Sequence, residues 1–98
     1  MMYSIRDFQA LMTTLYGDRD RKRGIEKTLL WLQTESGELL EAYLKGNSKG
    51  LKEEVADVLA WLCSVCNLLE IDLETVAWKK YPFKCPKCRA SPCECITQ

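Results

Sequence analysis

An all-α fold is predicted by three features of the sequence. Apolar residues recur at alternating spacings of three and four through two long segments, Ile25 to Lys45 and Ser48 to about Leu69. The stretch Gly46-Asn47-Ser48 between them is short, which makes the two segments an antiparallel helical hairpin. Ser4 and Asp72 stand where the N-caps of two further helices are expected. With 98 residues the chain is one domain, close to the lower size limit for enclosing a core alone, so self-association is expected. The expected organisation is a helical domain over residues 1–82 built on the hairpin core, followed by a short cysteine-rich C-terminal tail over 83–98.

The first helix is predicted from Ser4, whose hydroxyl and Asp7 form an acidic capping box, and from the periodic Ile5, Phe8, Leu11, Met12 and Leu15. It is expected to end near Tyr16-Gly17, leaving Asp18-Arg19-Asp20-Arg21-Lys22-Arg23-Gly24 as a charged loop. That run is either a solvated connection or a place where Arg23 reaches a phosphate group. In the second helix Ile25, Leu29, Leu32, Ser36, Leu39 and Tyr43 form the expected packing seam. Beside it lies a stripe of Thr28, Trp31, Glu35, Glu38 and Ala42, while Glu41 and Lys45 make an ordinary exposed pair. The third helix, capped by Ser48, has the expected seam Leu51, Val55, Val58, Leu62, Val65 and Leu69, with Glu54, Asp57 and Trp61 repeating the side stripe. A fourth segment starts at the cap Asp72 and stops before Pro82, with Trp78, Lys79 and Lys80 in its last turn.

Formal charge is zero, with 14 basic and 14 acidic side chains, so no global field favours nucleic acid polymers or an anionic membrane. The N-terminus lacks the pattern of a signal peptide, and the longest nearly apolar run carries Asp57. A cytoplasmic protein without a membrane span is therefore expected. Histidine is absent. Serine-histidine and cysteine-histidine nucleophilic systems are thereby excluded, as is histidine-ligated zinc or iron. Carboxylates, lysines and metal-activated water are the acid-base chemistry left.

Against that background the pairs Glu35/Glu38 and Glu54/Asp57 stand out, each three residues apart on a helix face. Counted from the turn, Glu38 and Glu54 fall at matching heights on the hairpin, and so do Glu35 and Asp57. Spacing thus predicts one cluster of four carboxylates. Such a cluster is tolerated when protonated, open to solvent or bridged by cations, and hard divalent ions suit oxygen donors. Aspartate is a mediocre helix former, and Asp57 sits between Val55-Ala56 and Val58-Leu59-Ala60, so a requirement other than stability holds it there.

The tail places Cys85, Cys88, Cys93 and Cys95 within eleven residues. Zinc in a tetrahedral thiolate site, free thiols on a mobile tail and paired disulfides all accommodate this spacing, with Zn2+ the natural choice in a reducing compartment. Cys63 and Cys66, inside the apolar run, are expected to be buried small hydrophobes.

Glu35-Ser36-Gly37-Glu38-Leu39, followed by Glu54-Val55-Ala56-Asp57-Val58, resembles the E-x-x-E and E-x-x-D motif pair of the MazG-type all-α nucleoside triphosphate pyrophosphohydrolases. The likeness extends from about Tyr3 to Pro82 and includes Arg23-Gly24-Ile25, Trp31, Ala60-Trp61 and Asn67, in the manner of the short archaeal-type branch. Thr34 departs from the pattern, where many members carry another glutamate. The resemblance implies Mg2+-dependent hydrolysis of nucleoside triphosphates to the monophosphate and pyrophosphate, with Mn2+ able to substitute. It also implies a four-helix-bundle homodimer or a dimer of dimers.

By the same resemblance Glu35, Glu38, Glu54 and Asp57 are the expected metal ligands. Glu38 is the hypothesis for the one that also accepts the water proton. Lys79 and Arg23 are the candidate phosphate contacts. Trp31 and Trp61 either stack on the base or simply fill the bundle. The competing reading is a dimeric helical interaction module with a zinc-stabilised tail, its carboxylates a solvated stripe and no catalysis.

Overall fold

A computed structural model describes residues 3–97, so Met1, Met2 and Gln98, at the ends of the expected domain and tail, lie outside the described residues. Four helices follow in order: α1 (Ile5–Arg23), α2 (Ile25–Leu44), α3 (Ser48–Leu68) and α4 (Leu73–Lys80). There is no strand among the described residues. None of the helices is long and apolar enough to cross a membrane. The most extensive packing joins α2 to α3 as the expected hairpin, α1 lies across it mainly on α3, and α4 packs on α1.

The capping box at the start of α1 is present: the Asp7 amide donates to the Ser4 hydroxyl, and the Ser4 amide donates to the Asp7 carboxylate. The expected stop at Tyr16-Gly17 is not where α1 ends; it continues to Arg23. Two ion pairs at i, i+3, Asp18 with Arg21 and Asp20 with Arg23, replace the predicted loop with helix. Gly17 and Asp20 are both buried, and that packing offsets the ~1 kcal/mol by which glycine disfavours a helix interior. The basic Arg21, Lys22 and Arg23 also fall in the last turn, facing the negative end of the helix dipole. Gly24 then turns the chain with φ 86°, and its amide donates to the Asp20 carbonyl.

The hairpin turn follows Lys45, with Gly46 at φ 68°. Asn47, not Ser48, caps α3, because its side-chain oxygen accepts the Gly50 amide at 3.0 Å. Asp72 caps α4 as expected, accepting the Thr75 amide.

The packing seams coincide with those expected at Ile25, Leu32 and Leu39 of α2 and at Leu51, Val58, Leu62 and Val65 of α3, and depart from them elsewhere. Residues of α2 that are buried or half-buried run Ile25, Thr28, Leu32, Glu35, Leu39 and Ala42; in α3 they are Gly50, Leu51 and Glu54 in its first half and every residue from Val58 to Leu68 in its second. The α2 line alternates spacings of three and four, and Leu29, Ser36, Tyr43, Val55 and Leu69 of the expected seams are exposed. The hydrophobic pattern is broad enough to hold two such lines. The line the fold chooses carries Glu35 and Glu54 into the α2–α3 interface. Cys63 and Cys66 are buried as small core residues.

A polar network pins α1 to the rest. Gln9 donates to Asn67 Oδ1 at 3.0 Å and to the Ile71 carbonyl at 2.7 Å, and accepts the Leu73 amide at 2.9 Å. Asn67 returns a bond to the Gln9 carbonyl. Arg6 reaches Asp72 at 2.8 Å and Glu74 at 2.9 Å, closing the α1–α4 contact.

Candidate active site

The interface of α2 and α3 brings together Glu35, Glu38 and Glu54, whose carboxylate oxygens lie within 4.8 Å of one another. Glu35 and Glu54 come from the facing seams, and Glu38 stands one turn along α2 at the exposed edge. One oxygen of Glu35 and one of Glu54 are buried without a hydrogen-bond partner. Burial pushes the Glu35 carboxyl up to about 7, and the neighbouring Glu54 and Glu38 carboxyls add to the rise. Such orphaned acceptors are costly in an interior unless a proton or a cation reaches them. A compact set of oxygen donors with no nitrogen or sulfur among them suits a hard divalent ion, so these three residues fit one.

Asp57 is not part of the three-oxygen group. Three residues of helix advance the direction by about 60° short of a full turn, and from Glu54 that moves Asp57 off the seam to an exposed position. There it lines a cavity of about 240 Å³ together with Tyr16, Asp20, Arg23 and Trp61. A second cavity, of about 270 Å³, is lined by Glu38 and Glu54 with Glu41 and Lys45. Asp57 therefore lines one hollow and Glu38 and Glu54 another, while Glu35 lines neither.

Arg23, at the end of α1, belongs to the first hollow. Its Nη1 pairs with Asp20 at 2.8 Å and meets the Thr28 hydroxyl at 3.4 Å, and its guanidinium lies over the Trp61 ring at 4.7 Å. Trp61 also stacks on Trp31, with ring centroids 5.8 Å apart and planes 16° from parallel. Trp31 keeps 47% of its surface exposed, so the stack is a ledge at the rim and not a filled core. Lys79 is exposed in the last turn of α4 and lines neither hollow.

With this geometry in hand, comparison with known families is decisive. The family model described as MazG nucleotide pyrophosphohydrolase domain matches residues 23–89. The chain belongs to this family. The match begins at Arg23, spans Glu35, Glu38, Glu54, Asp57 and the stacked Trp31 and Trp61, and ends inside the cysteine-rich tail. Comparison with curated proteins gave no match. Membership of the MazG family points to nucleotide pyrophosphohydrolase activity.

Sequence reasoning missed Asp20, which is 2% exposed and leaves Oδ2 buried without a partner in the Arg23 hollow. The Asp-x-x-Arg spacing of Asp20 and Arg23 was its available signal, readable once the charged run is taken as helix. Lys45 and Glu41 form the expected pair at 2.6 Å, yet they also line the hollow beside Glu38.

Proposed function

We propose that this MazG domain hydrolyses nucleoside triphosphates to the monophosphate and pyrophosphate with a divalent cation, Mg2+ or Mn2+, held by Glu35, Glu38 and Glu54, with Asp57 in the hollow of Arg23. The observation that carries the reading is the pair of buried, unpartnered oxygens on Glu35 and Glu54 beside Glu38. When bound, the cation would screen the triphosphate and make nearby water more acidic.

The chain's own groups account for the remaining tasks. Glu38, exposed at the edge of the cluster, accepts the proton of a water that attacks the α-phosphorus. The new bond joins the water oxygen to that phosphorus, and the bond from the α-phosphorus to the bridging oxygen breaks. Pyrophosphate leaves with the electron pair. Arg23 uses Nη1 to hold Asp20, and its remaining N–H groups contact phosphate oxygens. The Trp31–Trp61 ledge offers a flat apolar face to a nucleobase.

Lys79 sits on α4, away from the hollows of its own protomer, so as a phosphate contact it serves a neighbouring one. A homodimer is supported by the apolar side chains left exposed on the hairpin, among them Leu30, Leu40, Leu44 and Val55. The absence of a net charge supports a small nucleotide substrate over nucleic acid polymers.

The test is a panel of common and modified nucleoside triphosphates with Mg2+ and an added pyrophosphatase, following phosphate release. Wild-type protein should turn over at least one of them, and Glu54→Gln should lose that turnover. Equal release by both proteins would refute the reading.

A further inference from the structure

The cysteine-rich tail holds a second cluster that hydrolysis does not use. Its sulfurs, from Cys85, Cys88, Cys93 and Cys95, lie within 4.8 Å of one another, and all four residues are free thiols. Cys85 and Cys95 approach to 3.7 Å and Cys88 and Cys93 to 3.9 Å. A disulfide needs sulfurs about 2.0 Å apart. Four thiolates each about 2.3 Å from a tetrahedral zinc stand about 3.8 Å from one another. Both observed separations match that edge.

We propose that Cys85, Cys88, Cys93 and Cys95 bind one zinc ion in a closed tetrathiolate site that folds the tail. The backbone is already arranged for it. The Glu94 amide donates to Cys88 Sγ and the Cys95 amide to Cys93 Sγ, each at 3.3 Å, the kind of support that orients and stabilises ligating thiolates. Cys85 accepts the Arg89 amide on its carbonyl at 2.8 Å and donates its own amide to Ala90 at 3.0 Å. Arg89, at φ 65°, reverses the chain immediately after the second cysteine. This returns Cys93 and Cys95 to face the first pair.

Little else holds the segment. Among the described residues there is neither helix nor strand after Lys80, Ile96 is fully exposed, and Phe83 touches the helical domain by its contact with Trp78 at a centroid distance of 5.1 Å. Metal binding supplies folding free energy in such cases, as the thiols give up their protons to become ligands. Lys84 and Lys87, which line the adjoining hollow, lie beside the charge of four thiolates. Four protein ligands leave no open position for substrate, so the site is structural. Soft thiolates select zinc and the oxygen cluster selects Mg2+, so the two sites do not compete. The family match ends at residue 89, ahead of Cys93 and Cys95, so the complete set lies beyond what family membership carries.

The experiment uses the full chain, purified under reducing conditions without chelator, with metal measured by plasma mass spectrometry. One zinc per chain is expected. The Cys93→Ser/Cys95→Ser double variant should lose it at least tenfold, while Cys63→Ala should keep it, with helical circular dichroism verifying that each variant is folded. Replacement by Co2+ should give the visible absorption of a tetrahedral tetrathiolate, and stripping zinc should open residues 83–97 to protease while the helices persist. Zinc-free protein lacking a cobalt spectrum, zinc retained by the double variant, stoichiometric iron, or disulfides in the reduced preparation would each overturn the proposal.

Discussion

Glu35 on α2 and Glu54 on α3 face each other across the hairpin, each with one buried oxygen that no hydrogen-bond donor reaches. Two carboxylates in that position oppose folding when both are ionised. Metal binding and protonation are alternative ways of relieving the same repulsion, and that competition makes the site testable without substrate.

The first prediction concerns pH. Glu35 in the folded chain is raised from its ordinary 4.5 to about 7, so the folded state holds its proton more tightly than the unfolded state does. The stability this contributes is complete below about pH 4.5 and is lost as pH rises through about 7. Metal-free protein should therefore melt at lower temperature at pH 8 than at pH 5.5, and Glu35→Gln should show a flatter dependence. Adding Mg2+ should raise the melting temperature more at pH 8 than at pH 5.5. Scanning calorimetry across that range checks both statements.

Glu38 touches the cluster from its exposed edge and is assigned the proton transfer. Glu38→Gln should lower kcat by about 10²–10⁴-fold while leaving KM within a few-fold. Steady-state kinetics at saturating Mg2+ decides this, and a variant with wild-type kcat would remove the assignment.

The Trp31–Trp61 stack carries a binding prediction. Trp61→Ala should raise KM about tenfold, as expected if a base loses about 1.4 kcal/mol of stacking and packing. Nucleotide added to wild-type protein should quench tryptophan fluorescence, and the quench should shrink in the variant. Unchanged KM and unchanged emission would mark the pair as rim packing.

Gln9 is far from the carboxylates in role. Its amide bridges Asn67, Ile71 and Leu73, so Gln9→Ala leaves partly buried partners unmet and should destabilise by about 1–3 kcal/mol. In a domain of this size each kcal/mol moves Tm by about 4–8 °C. At a temperature where the variant is still folded, kcat should be unchanged. A thermal melt paired with one rate measurement tests this.

Much of the fold was legible in the sequence. Ser4, Asp72 and the Gly46-Asn47 turn set three boundaries because caps and turns are local chemistry. Where local rules fell short, tertiary packing was the cause. Gly17 reads as a stop, yet it is buried inside α1, and Asp20 is buried in the turn that the charge run had marked as loop. The α2 seam was displaced at Leu29, Ser36 and Tyr43 because that helix carries two parallel lines and periodicity alone does not choose between them, whereas Leu51, Val58, Leu62 and Val65 of the expected α3 seam are buried or half-buried. The chosen line passes through Glu35 and Glu54. Asp57 was expected in one cluster with Glu35, but counting residues leaves out the rotation that places it in the hollow with Arg23 and Trp61. The cysteine cluster was visible as spacing, and its sulfur separations needed coordinates.

The proposed hydrolysis requires Glu35, Glu38 and Glu54 to hold a divalent cation together. Mn2+ titration followed by the electron paramagnetic resonance signal of the free ion measures this directly. Wild-type protein at pH 8 should remove Mn2+ from solution saturably, and Mg2+ should displace it. The Glu35→Gln/Glu54→Gln double variant, folded by circular dichroism, should leave the free-ion signal undiminished. Equal Mn2+ binding by wild type and double variant, or none by either, would contradict the account.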